Sequence, residues 1–214
     1  MRKTILAVIF SVFIIGQLSA QDFKIGIKVG PSFSMSRTGT DGPDTSIGRD
    51  GNSVELLLGA FADIRFKENY YFHTGVNYAT KETRITVTDP GIAGGEVSER
   101  YAHEYLQLPL LLKLYTNEVV LDTRIYFNFG LIPEIRLSTS NEDVSTVLIE
   151  DFKSFDLAGN IGGGVEKNLG PSTRIFAGVN FNLGFLNMIK NQSLLVDPIN
   201  VKSNLLALEI GIKF

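Results

Sequence analysis

Residues 205–214 read LLALEIGIKF. Leu206, Leu208, Ile210, Ile212 and Phe214 are large and apolar, while Ala207, Glu209, Gly211 and Lys213 between them are small or charged. This is the two-residue period of a β-strand with one apolar face. The other face places Glu209, Gly211 and Lys213 in a row, a mixture that suits neither an ordinary core nor an ordinary solvated sheet.

The same alternation recurs along the chain, and long helical periodicity is absent after residue 21. It predicts strands at about 23–34, 54–66, 70–84, 101–115, 123–137, 153–167, 172–186 and 203–214. The connections at 35–53, 85–100, 138–152 and 187–202 are long; those at 67–69, 116–122 and 168–171 are short. Long and short alternate without exception. In an up-and-down barrel every second connection lies at the same end, so one rim carries tight turns and the other four large loops. Outer-membrane barrels show this asymmetry together with an even strand number.

Alternation also fits a soluble barrel with its apolar face inward. The composition of the second face decides between them. It carries Lys24, Lys28, Glu55, Asp63, Arg65, Lys81, Lys113, Arg124, Glu134, Arg136, Asp156, Glu166, Arg174, Glu209 and Lys213. Interspersed are Gly26, Gly30, Gly59, Gly75, Gly130, Gly162, Gly164, Gly178, Gly184 and Gly211. Glycine weakens a strand and gains nothing on a solvated surface. It makes sense where space is short, and eight strands enclose a bore only just wide enough for side chains. Charges of both signs, spaced by glycine, therefore predict a packed polar interior in which they pair. The apolar face meets lipid. The fold class expected is all-β: an eight-stranded antiparallel up-and-down transmembrane barrel over residues 21–214.

The first twenty residues stand apart. Arg2 and Lys3 precede the apolar run ILAVIFSVFII at 5–15, and Gly16–Ala20 form a small exit. This layout predicts a secretory signal peptide cleaved after Ala20, although Leu18 stands where a small residue is usual. Aromatics near strand ends predict interfacial girdles: Phe66, Tyr70, Tyr115 and Phe214 at the short-turn rim, and Phe33, Tyr78, Tyr101, Phe155 and Phe185 at the other.

The stretches FKIGIKVGPSFS at 23–34, YLQLPLLLKLY at 105–115 and the closing LLALEIGIKF resemble the PorT-like outer-membrane β-barrel family of Bacteroidetes-type bacteria. Most distinctive is 105–115, where Pro109 interrupts an aliphatic strand ahead of the inward Lys113; a local bulge is expected there. The resemblance implies a Gram-negative outer-membrane barrel and little about activity, although one member is linked to type IX secretion. The final aromatic strand also resembles the signal read by the barrel assembly machinery, which would make Phe214, Ile212 and Ile210 an assembly signal.

Sites for chemistry are sparse. Absence of cysteine excludes disulfides and thiolate metal sites. A formal charge of −3 points away from nucleic acid. His73 and His103 fall at opposite ends of the barrel; Ser98, His103 and Glu104 make a poor triad because His103 and Glu104 alternate in direction. GNIGGGVEKNLG at 159–170 lacks the Lys-Ser/Thr of a phosphate loop, and DTSIGRDGNSVE at 44–55 has Arg49 where a calcium loop needs glycine. No enzyme, cofactor or metal is expected. The acidic loop 138–152, apolar at 147–149, is expected to be solvated, and strands longer than a membrane needs suggest a β-rim able to pair with a partner strand. The expected partners are outer-membrane lipid and lipopolysaccharide, the assembly machinery and a protein at the long loops. A structural or interaction role leads, ahead of a small passive pore, a secretion accessory and a lipid A-modifying enzyme.

Overall fold

Alternating side chains put an uninterrupted ladder within reach of every segment, and the chain uses it to close on itself. The computed structural model describes residues 23–40, 46–49, 53–88, 96–141, 149–192 and 199–214. The strands are β1 (Phe23–Thr40), β2 (Ser46–Arg49), β3 (Ser53–Lys67), β4 (Tyr70–Thr88), β5 (Glu96–Gln107), β6 (Leu110–Tyr115), β7 (Thr123–Asn141), β8 (Ile149–Phe152), β9 (Phe155–Asn168), β10 (Arg174–Gly184), β11 (Ile189–Gln192) and β12 (Ile199–Lys213). All pairings are antiparallel. The ring runs β1, β3, β4, β5–β6, β7, β9, β10 and β12, and β12 returns to β1. It therefore has eight staves, since β5 and β6 are two halves of one. The predicted signal peptide lies outside the described residues.

The first and last strands close the ring. Gly26 faces Lys213, Lys28 faces Gly211 and Val29 faces Ile210. Phe214 adds one more bond, its N–H donating to the Ile25 carbonyl at 2.8 Å. No backbone edge is left along this seam, as a membrane requires.

Pro109 breaks the ladder without the expected bulge. Gln107 pairs with Asn77 and Leu110 with Thr74, so no residue is inserted. Proline simply lacks the N–H, and the neighbouring Leu108 N–H reaches Pro133 O at 2.9 Å. The register shift against β7 lies instead between Glu104 and Tyr105.

The outer face carries a continuous apolar band. On β1 it runs from Phe23 through Ile25, Ile27 and Val29 to Phe33. Ten residue steps at ~3.3 Å, tilted by about 40°, give a height of about 25 Å, the band of a transmembrane barrel. Beyond it the strands continue, and the faces exchange character. On β4, Thr80, Glu82, Arg84 and Thr86 point outward while Ile85 and Val87 are buried inside. On β12, Ile199 and Val201 do the same. The described parts of the long connections read from sequence are thus largely strand. Below, the barrel is polar inside; above, an apolar cluster fills it, with Thr83, Glu99 and His103 buried beside that cluster.

Candidate functional site

The bore is the part of the molecule where sequence and function meet, and it is built in layers. At the short-turn end, β12 delivers Lys213, fully buried, with Nζ 2.8 Å from Asp63 Oδ2 on β3 and 2.7 Å from Glu166 Oε2 on β9. Lys113 Nζ approaches Asp63 at 3.2 Å, and His73 Nδ1 lies 2.6 Å from its other oxygen. Arg174 holds Glu166 at 3.1 Å, and the Tyr115 hydroxyl donates to Glu166 at 2.7 Å. Six strands are tied together through two carboxylates. Beside this network Lys28 and Glu209 pair at 3.0 Å.

Above lies a layer of amides. Asn128 Nδ2 donates to Asn180 Oδ1 at 2.7 Å and to Asn160 Oδ1 at 3.2 Å; Asn160 Nδ2 donates to Asn182 Oδ1 at 2.7 Å. Higher still, Lys81 donates to Glu134 at 2.5 Å and Gln107 to its second oxygen at 2.9 Å. A cavity among Lys28, His73, Lys113, Asn128 and Glu209 measures about 10 Å³, room for about one water.

Nine of the residues predicted to face inward are buried: Lys28, Asp63, Lys81, Lys113, Glu134, Asp156, Glu166, Glu209 and Lys213. The other six, Lys24, Glu55, Arg65, Arg124, Arg136 and Arg174, are half-buried nearer the rims. Glu55 accepts from Thr80 at 3.0 Å, and Arg124 is 4.0 Å from Glu118 in the short turn. Phe214 and Ile210 are exposed on the lipid face and Ile212 is half-buried there.

Two predicted girdle aromatics point the other way. Tyr115 and Tyr101 are buried in the bore, because each shares its strand parity with an inward polar residue, Lys113 and Glu99. Tyr115 joins Phe61, Tyr71, Tyr126 and Phe176 in an aromatic collar around the Lys113 ammonium, which lies 4.2 Å from the Tyr126 ring centroid. Such contacts favour a desolvated cation. The collar explains several of the glycines. A Cβ on Gly178 would stand 2.2 Å from the Tyr126 hydroxyl, one on Gly211 2.5 Å from the Phe176 ring, and one on Gly26 2.5 Å from Phe61. Gly178→Ala is expected to destabilise the barrel by about 1–3 kcal/mol through overpacking. Because the obstructing atom is a phenolic oxygen, adding Tyr126→Phe should recover much of the loss. Urea titration of both variants in lipid vesicles checks this; no recovery would mean that the backbone contact to Gly163 O, at 3.0 Å, dominates.

The long-loop end is closed by a second sheet. β8 and β11 leave the wall and pair with each other, so that Ile149, Phe152, Met188 and Ile189 bury against Ile85, Val87, Tyr101, Tyr105, Ile199 and Val201. Asn187 fixes the bend, its Oδ1 accepting from Ile189 N at 3.1 Å and Val201 N at 3.0 Å. Phe152 is the centre of the cap, edge-on to Tyr101 at 4.9 Å and His103 at 4.6 Å. The Arg136 guanidinium lies 5.5 Å from the Phe152 ring centroid and donates to the Phe152 carbonyl. On the outer surface, the hydrogen bond from Lys190 holds the Asp151 carboxylate below its usual range. Where β8 departs from β7, a cleft of about 520 Å³ opens, lined by Arg136, Thr139, Asp151 and Phe152.

Ser98, His103 and Glu104 do not come together. Ser98 bonds Thr86 at 3.0 Å, Glu104 accepts from Ser138 at 2.8 Å on the outer face, and His103 Nδ1 meets Thr139 at 2.9 Å. His73 is engaged by Asp63 at the opposite end. Among the described residues no group of three His, Asp or Glu is placed to hold a metal ion.

The outer membrane protein beta-barrel domain family matches residues 17–190 of the chain. The chain belongs to this family. It is an outer-membrane β-barrel protein, and the apolar band is its lipid contact. Among solved structures, Neisserial surface protein A superposes with a TM-score of 0.52 at 10% identity, covering 90% of this chain and 96% of that one. The outer membrane protein OprG from Pseudomonas aeruginosa gives 0.52 at 15% identity, covering 89% and 95%. At such identities the likeness is one of fold. No curated protein sequence matches.

Proposed function

We propose that the protein is a closed, non-enzymatic barrel that acts as a structural or binding element of the outer membrane through its long-loop end. The observation that carries this reading is the filled bore: an ion-pair network, an amide layer, the Lys81–Glu134 pair and an apolar cap succeed one another along the axis. Among the described residues such a stack fills the bore with side chains at each level. The motifs at 23–34, 105–115 and 205–214 support a place in the PorT-like branch. In this reading a cleaved signal peptide at 1–20 directs export, both ends of the barrel domain lie in the periplasm, and Phe214, Ile212 and Ile210 guide assembly.

Purified protein reconstituted in planar bilayers is expected to give no steady conductance. Persistent channel steps from every preparation would overturn the closed barrel in favour of a small pore. The PorT-like resemblance favours one further reading, an accessory role in protein secretion; periplasmic accumulation of secreted proteins in a deletion strain would support it.

A further inference from the structure

Above the apolar band, several basic side chains on the barrel wall and the cap sheet are tied to acids. Arg84 and Arg100 contact Glu82 at 3.1 and 3.3 Å, and Lys190 contacts Asp151 at 2.5 Å. Arg37 on β1 and Lys202 on β12 break this pattern. They are direct cross-strand partners, both on the outer face. Like charges directly opposite one another on an antiparallel pair repel. Neither has an acidic partner among the described residues.

The geometry concentrates the charge further. Arg37 reaches across β12, and its Nη2 donates to the Gly184 carbonyl at 2.7 Å at the end of β10. One hydrogen bond thus fixes the guanidinium and leaves its other donors unused by the described residues. Beside Gly184 lie Phe185 and Leu186, both exposed. Lower on the same two strands, Met35 faces Asn204 and then Phe33 faces Leu206, which returns to the apolar band. Arg37 and Lys202 stand four residues above Phe33 and Leu206, or about 10 Å once the strand tilt is included. Long basic side chains bend back toward the interface over such distances. The pair therefore sits at the level of the head groups.

We propose that Arg37 and Lys202 form a binding site for the phosphate of an outer-leaflet lipid head group. A phosphate offers several acceptor oxygens to a guanidinium fork and an ammonium. Its charge removes the repulsion between the two cations. Phe185 and Leu186 give the attached acyl chains an apolar surface, which a free phosphate ion would not use. The site rests on the orientation proposed above, with the long-loop end at the cell surface. Its test does not, because binding in detergent is independent of orientation.

The experiment titrates detergent-purified protein with a phosphorylated outer-leaflet glycolipid, with the same lipid dephosphorylated, and with inorganic phosphate, and reads bound lipid by native mass spectrometry. The wild type should prefer the phosphorylated lipid to both comparators. Arg37→Gln/Lys202→Gln should weaken that binding by about tenfold or more, as the loss of charge-assisted hydrogen bonds predicts, while Lys202→Arg retains it. Wild-type binding should also weaken as salt rises from about 50 to about 500 mM, a measurement that stands even if the double variant fails to assemble. Equal binding of the dephosphorylated lipid, equal affinity for inorganic phosphate, an unaffected folded double variant, or salt-independent binding would each overturn the site.

Discussion

Lys213→Met is expected to destabilise the assembled barrel by about 3–5 kcal/mol, the cost of breaking a buried charge pair from one side. Lys213 is wholly buried and sits between Asp63 and Glu166, with the Tyr115 hydroxyl 2.8 Å from its ammonium. Methionine keeps the apolar stem and removes the ammonium, with its charge and its N–H donors. Asp63 is then left with Lys113 and His73, and Glu166 with Arg174 and Tyr115, so two carboxylates lose the cation they share. The position adds to the effect, since Lys213 faces Gly26 on β1 and Arg174 on β10 and ties the closing strand to β3 across the bore. The chain has no tryptophan, so unfolding is best followed by the heat-modifiable electrophoretic shift across a urea series. Ile212→Met, one residue away on the lipid face, serves as control, and a volume-conserving apolar swap should cost less than about 1.5 kcal/mol. Equal shifts for the two variants would sink the ion-pair account. Combining Lys213→Met with Asp63→Asn should cost less than the sum of the single changes, because the second removes one of the orphaned charges.

That network was largely legible in the sequence. Parity alone assigns Lys28, Asp63, Lys113, Glu166, Glu209 and Lys213 to one face, and the glycines beside them say that this face is crowded. Partners within the face were not legible. Which aromatic needs Gly178 or Gly211 depends on register between strands far apart in sequence, and Tyr126 and Phe176 announce nothing on their own. Tyr115 shows a different failure: an aromatic at a strand end reads as an interface anchor, yet its alternation with Leu114, next to Lys113, places it inside. The greatest departure lies above the band. Ile85, Val87, Ile199 and Val201 belong to segments whose polar outer face looks like loop, because the rule for the membrane half, apolar outward, is inverted there. A strand that crosses from lipid into water changes which side must be greasy, and a single face assignment along its length cannot hold.

The inverted half predicts its own behaviour. Phe152→Ala should loosen the cap while the membrane-spanning barrel stays assembled. Phe152 is buried among Tyr101, His103, Ile149 and Met188, and truncating a core phenylalanine costs about 3–5 kcal/mol. Here the loss falls on a separate two-stranded sheet, anchored to the rest by a few bonds such as Met188 N to Val201 O at 2.8 Å and Arg136 to the Phe152 carbonyl. Opening is therefore local. Trypsin reports it, since Lys153 follows β8, Lys190 lies in β11, and both are exposed. In the regime where cleavage is slower than reclosing, that free energy corresponds to a rise in cutting rate of roughly 10²–10⁴-fold. The heat-modifiable shift should be unchanged; if it is lost, cap and barrel fold as one unit and the two-part description fails. Conductance separates the roles of the layers. With the Asn128–Asn160–Asn180 layer and the Lys213 network still in place, the variant should remain silent in planar bilayers. Steady current through Phe152→Ala protein would instead assign the seal to the cap and make the polar bore below it a conduit waiting for the cap to move.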